Sequence, residues 1–155
     1  MNAAAIVMLF VRCGLVLLFL PFSALDKVFN FEGAVKQARE VFRPRVLGVA
    51  VILLGLAIEI FMSLGVVTGM ADRAAALVMA GYCAVTAVLY KRFWAQGDFL
   101  SDPAGKGRGL FWDFLKNLSV GAGFLLITIG TNGTGLAPFL AHPLASSHPY
   151  AGVHL

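Results

Sequence analysis

The chain predicts an all-α integral membrane protein: a four-helix bundle with a short amphipathic interfacial helix between helices 1 and 2. Three observations carry that prediction. Four long apolar runs, at residues 3–25, 46–67, 74–90 and 110–130, alternate with polar connections. Hydrophobic residues make up 59% and charged residues 13% of the 155 positions, and the mean hydropathy is +0.85, which is more apolar surface than one soluble core of this size can bury. The basic residues also collect in two of the connections, as they do around a bilayer.

Each run can be justified in turn. At about 1.5 Å per residue, roughly 20 residues cross a hydrocarbon core of about 30 Å, and three of the runs reach that length. The third is shorter and is expected to continue to residue 94 through Lys91, Arg92, Phe93 and Trp94, because long basic side chains snorkel and aromatic rings favour the interface. The first run has no Lys or Arg before it and is interrupted by Arg12, so it reads as a retained helix rather than a cleaved leader. Pro21 removes a helical hydrogen bond and predicts a kink near the end of that span.

The first connection, 26–45, mixes Phe29, Phe31, Val35, Val41 and Phe42 with charges. That pattern predicts the interfacial helix, over residues 31–42, stopped by Pro44. The second connection, 96–108, carries Gly97, Asp98, Asp102, Pro103, Gly105 and Gly107 and reads as loop. The membrane domain is thus placed at 1–132, with spans 3–25, 46–67, 74–94 and 110–130. Residues 133–155, with Pro138, Pro143 and Pro149, are expected to form an irregular tail without a regular helix.

Lys27, Lys36, Arg39, Arg43 and Arg45 flank the first connection, and Lys91, Arg92, Lys106, Arg108 and Lys116 flank the second. The opposite side holds only Arg73, with Arg12 left uncounted inside the membrane. The positive-inside rule then puts both connections in the cytoplasm and both termini outside. It also assigns the net charge of +4 to membrane lipid rather than nucleic acid.

Helical periodicity gives each span one inward stripe. These are Arg12, Val16, Phe19, Ser23 and Asp26/Lys27; then Gly48, Ile52, Gly55, Glu59 and Ser63; then Ala76, Met79, Cys83, Ala87, Tyr90 and Trp94; then Asp113, Asn117, Gly121, Phe124 and Thr128. Arg12 and Glu59 are the charges well inside the first two spans. Counted from the outer ends, they lie about 14 and 12 Å deep. An isolated charge at depth is costly, so the expected arrangement is an Arg12–Glu59 pair facing the interior. It would serve either as an architectural ion pair or as a site that binds a polar headgroup or relays a proton. Cys13 and Cys83 are read as small buried hydrophobes rather than a redox pair. His142, His148 and His154 recur every six residues, match no metal-ligand spacing and are read as part of a solvated tail.

No nucleophile–base motif, phosphate-cradling glycine pattern or intramembrane His pair is visible, so no catalytic residue and no intrinsic cofactor is assigned. The order and spacing of several short features nevertheless resemble the DoxX family of small four-helix bacterial and archaeal membrane proteins. They are Arg12 with Gly14, Phe19 and the Asp26-Lys27 pair; Pro44 and Gly48 leading to LAIEIF with Glu59; Gly69 and Arg73; Phe93-Trp94; and Lys116-Asn117. The resemblance covers about residues 6–130. Ser23 and Ala24 stand where the family often has a glycine before the lysine.

That family takes its name from a small subunit of an archaeal quinol oxidase, and relatives are linked to thiosulfate oxidation with quinone as acceptor. The resemblance therefore implies an auxiliary or anchoring subunit of a respiratory or redox complex in the bacterial inner membrane, partnered by lipid and another membrane or membrane-associated redox protein. The alternative it implies is a stand-alone quinone-linked oxidoreductase. On this chain Arg12, Lys27, Glu59 and Asn117 would meet a quinone headgroup, with Phe19, Tyr90, Trp94 and Phe124 supplying ring contacts.

Overall fold

The apolar runs form the long helices that their length and composition require. The computed structural model describes residues 3–130 and 136–150, and its regular structure is helical. The α-helices are α1 (Ala3–Val16), α2 (Ala24–Phe29), α3 (Phe31–Arg39), α4 (Arg45–Thr68), α5 (Asp72–Tyr90), α6 (Lys106–Ile129) and α7 (Ala137–Ala141). Among the described residues, four helical segments are long and apolar enough to cross a membrane: Ala3–Phe29, Arg45–Thr68, Asp72–Ala95 and Lys106–Ile129.

The first segment is broken where Pro21 predicted a kink. Between α1 and α2 the chain forms a wide turn, Leu18–Ser23, in which Leu20 is extended (φ −123°, ψ 115°) and the Leu20–Pro21 peptide is cis. The break swings α2 against α4. The interfacial helix is present as α3, three residues shorter than the 31–42 expected, and it is followed by Pro44 at the start of α4. Its Val35 and Ala38 are buried on Ile52, with Val49 packed alongside. The apolar face is therefore spent on α4.

The third span differs from expectation at its end. The α-helix stops at Tyr90, and Phe93–Ala95 form a separate 3-10 turn, so Trp94 does not continue the inward stripe. The tail also differs: α7 begins with Pro138 in its first turn, where a missing N–H costs nothing. Residues 142–150 then return to the bundle.

The main core joins α1, α4, α5 and α6 through Val16, Phe19, Val66, Ala76, Met79, Cys83 and Phe124. Small residues on α5 (Ala75, Ala76, Ala80, Ala87) allow the helices to approach closely, which is how bundles gain packing in lipid. The α4–α5 turn is tight. Gly69 ends α4 with φ +81°, and a Cβ there would come within 3.0 Å of the Pro149 ring, so glycine serves both the turn and the returning tail.

Candidate ligand cleft and its ion pairs

The buried face of α4 is Gly48, Ile52, Gly55, Glu59, Ser63 and Val66, which is the small-residue stripe with one carboxylate that periodicity predicted. Glu59 is 1% exposed, yet its partner is not Arg12. The kink places α2 so that Lys27 Nζ donates to Glu59 Oε1 at 2.7 Å and to Oε2 at 3.0 Å. Ser23 Oγ donates to Glu59 Oε1 at 2.9 Å, and Tyr82 OH donates to the same oxygen at 2.9 Å. Lys27 also donates to Ser23 Oγ at 2.6 Å. The carboxylate is thus held by a cation from α2 and two hydroxyls, one from the Leu18–Ser23 turn and one from α5. Gly55 makes room for this: a Cβ at that position would lie 3.2 Å from the Tyr82 hydroxyl.

Arg12 belongs to a second cluster at the α4–α5 turn. Its Nη1 lies 2.7 Å from Asp72 Oδ2 and donates to the Val66 carbonyl at 2.6 Å, and its Nη2 donates to Ser147 Oγ at 3.0 Å. Ser147 in turn donates its amide to Asp72 Oδ1 at 2.9 Å and its hydroxyl to Oδ2. The expected Arg12–Glu59 pair is corrected for a geometric reason. The depth count set the outer ends of the first two apolar runs level, whereas Arg12 reaches Val66, and Glu59 lies seven residues, about 10 Å, further along α4. Asp72, at the head of α5, and Ser147, in the tail, were not singled out in the sequence. The visible signal for Asp72 was an acidic first turn on the third span, which also suits a helix N-terminus.

The tail is consequently no free solvated segment over residues 142–150. Tyr150 OH donates to the Val67 carbonyl, and burial raises its phenol above the ordinary value, which keeps it a donor. Arg73, at the same α4–α5 turn end of the bundle, donates to the carbonyls of Thr128 at 2.9 Å and Ile129 at 3.2 Å and lies over the Phe139 ring.

A cleft of about 630 Å³ opens beside the Lys27–Glu59 cluster, between α2, α3, α4 and α5. Its polar end holds Ser23, Lys27, Glu59 and Tyr82. Phe19 packs against Tyr82 there, with ring centroids 6.2 Å apart. Toward the other end come Tyr90, Lys91 and Asn117. Lys91 pairs with Asp113 at 3.2 Å, and Asn117 Nδ2 donates to Thr86 Oγ1 at 3.4 Å. The Tyr90 hydroxyl is buried with no hydrogen-bond partner among the described residues.

Of the candidate site residues, the structure brings Lys27, Glu59, Tyr90 and Asn117 to this one cleft and leaves Arg12 and Trp94 outside it. Trp94 sits in an aromatic cluster with Phe93, 5.1 Å away, and Phe114, 5.9 Å away. Phe124 is fully buried against Phe19 in the core rather than along the cleft. Cys83 is buried as expected. Cys13 is exposed on α1 and is no buried hydrophobe.

No curated protein and no solved structure matches the chain. The family model that does match is DoxX, over residues 7–92, more than half of the chain. That stretch contains the Arg12–Asp72 and Lys27–Glu59 pairs and ends before the fourth span and Asn117. The chain is a DoxX family membrane protein.

Proposed function

We propose that this protein is an auxiliary or anchoring subunit of a membrane redox complex that binds a quinone in the α2–α5 cleft. The observation that carries the reading is the cleft itself: apolar walls leading to a compact polar end where Lys27 and Glu59 neutralise each other. Its volume of about 630 Å³ falls within the roughly 300–1,000 Å³ usual for small-molecule sites, which combine apolar walls with a few placed polar groups. A ring with two carbonyls, delivered by the bilayer, matches that distribution of surface. The membrane redox associations of the DoxX family support the same choice.

The proposed setting is the bacterial inner membrane, with both termini outside and the two basic connections in the cytoplasm. The ten-to-one count of flanking basic residues supports this orientation. The redox partner would be another membrane or membrane-associated protein. Purification from native membranes followed by solvent extraction and mass spectrometry tests the proposal. Retained quinone together with a copurifying redox protein is expected. Protein that carries neither, under mild detergent, contradicts it.

A further inference from the structure

The cleft has two different mouths. One is rimmed by side chains that face lipid: Leu54 is 62% exposed, Val85 55% and Val78 42%, and all three line the same cavity as Glu59. Gly81 lies among them on α5. It is exposed, it lines the cavity, and a Cβ there would meet nothing within 4 Å among the described residues. The other mouth is polar, with exposed Asp26, Asn30 and Gln37 near the interface.

We infer that the α4–α5 gap at Gly81 is a lateral portal through which the apolar tail of a membrane-resident quinone leaves the cleft while its ring lies at the Lys27–Glu59 end. This rests on the quinone reading above and adds the ligand's long apolar tail and its direction of entry. A long apolar tail gains nothing by crossing into water, and a polar ring gains nothing by remaining among acyl chains. A ligand that joins the two is accommodated where a polar node and a lipid-facing gap belong to one cavity. The absence of a side chain at residue 81 keeps the gap open. The polar mouth gives water and small solutes a second approach to the same ring position.

Gly81→Phe is the direct test, because a Cβ at that position meets nothing within 4 Å among the described residues and the ring it carries narrows the portal. Gly14→Phe is the control: it too has nothing within 4 Å of its Cβ, and it lies on α1 away from the cleft. Binding is measured by native mass spectrometry of protein released from nanodiscs. One set contains a defined fraction of a long-chain polyprenyl quinone, and the other is equilibrated with its tailless ring analogue. Gly81→Phe should weaken retention of the long-chain quinone by about tenfold or more and leave the tailless ring unchanged, with Gly14→Phe altering neither. Equal effects on both ligands, no effect on either, or the same effect from Gly14→Phe would overturn the portal while leaving the quinone reading standing. Wild-type protein that retains neither ligand would overturn both.

Discussion

Replacing Lys27 by Met and Glu59 by Leu, singly and together, probes the polar end of the cleft most sharply. Glu59→Leu leaves the Lys27 ammonium, 17% exposed, with Ser23 as its remaining partner among the described residues. Lys27→Met leaves a carboxylate, 2% exposed, held by two neutral hydroxyls. Breaking one side of a buried pair costs about 3–5 kcal/mol. The two hydroxyl donors on Glu59 and the partial exposure of Lys27 place each single change near the lower end, about 3 kcal/mol. The double change removes both charges and their desolvation cost and leaves the Ser23 and Tyr82 hydroxyls without their Glu59 acceptor, so it should cost about 1–2 kcal/mol rather than the sum of about 6, a coupling of roughly 4–5 kcal/mol. Reversible unfolding in mixed micelles, titrated with sodium dodecyl sulfate and followed by circular dichroism, measures all four corners of the cycle. The parallel Arg12→Met and Glu59→Leu cycle should be additive to within about 0.5 kcal/mol, since those residues share no partner among the described residues. Additivity in the first cycle, or strong coupling in the second, would refute the assignment of the two ion pairs.

Three further outcomes follow from the turn and the tail. Ser147→Ala removes a hydroxyl that bonds both Asp72 and Arg12; a loss of about 1.5–3 kcal/mol in tail docking is expected, read as faster hydrogen exchange of the residue 147 amide. Unchanged exchange would mean that the tail does not depend on this contact. Gly69→Ala forces a side chain onto φ +81° and against Pro149, so it should destabilise by about 1 kcal/mol or more; an unchanged unfolding midpoint would show that neither constraint matters. A cysteine introduced at Ala145, in a background lacking Cys13 and Cys83, should react with an impermeant reagent in intact cells, and labelling only after permeabilisation would reverse the proposed orientation.

The spans and their buried faces were legible because each depends on local chemistry. The stripe Gly48, Ile52, Gly55, Glu59 and Ser63 follows from helical period alone, and Pro21 and Pro44 mark their breaks through a missing N–H and a restricted preceding residue. Pairing across helices was not legible. It depends on where one helix stands along another, and the Leu18–Ser23 turn resets that position after the first span has already begun. Lys27 therefore meets Glu59, and Arg12 is left for Asp72 and a serine 135 residues away. Tyr82 was missed because its reach to Glu59 depends on the absent Cβ at Gly55, a relation between two helices rather than a pattern within one. Trp94 was misplaced for the converse reason. Helical period carries the stripe past Tyr90, but the backbone of Lys91 leaves the helix (φ −106°, ψ 47°) and turns the following aromatic residues onto α6.

The central claim, that a quinone ring occupies the cleft beside Lys27 and Glu59, is tested most directly by photoaffinity labelling. Membranes containing the protein are irradiated with a ring-azido quinone, and the modified peptides are mapped by mass spectrometry with and without excess unlabelled quinone. Labelling that competes away and falls within residues 18–27, 51–59 and 78–91 is the predicted result. Labelling that is absent, does not compete, or spreads over lipid-facing α1 and α6 would contradict it.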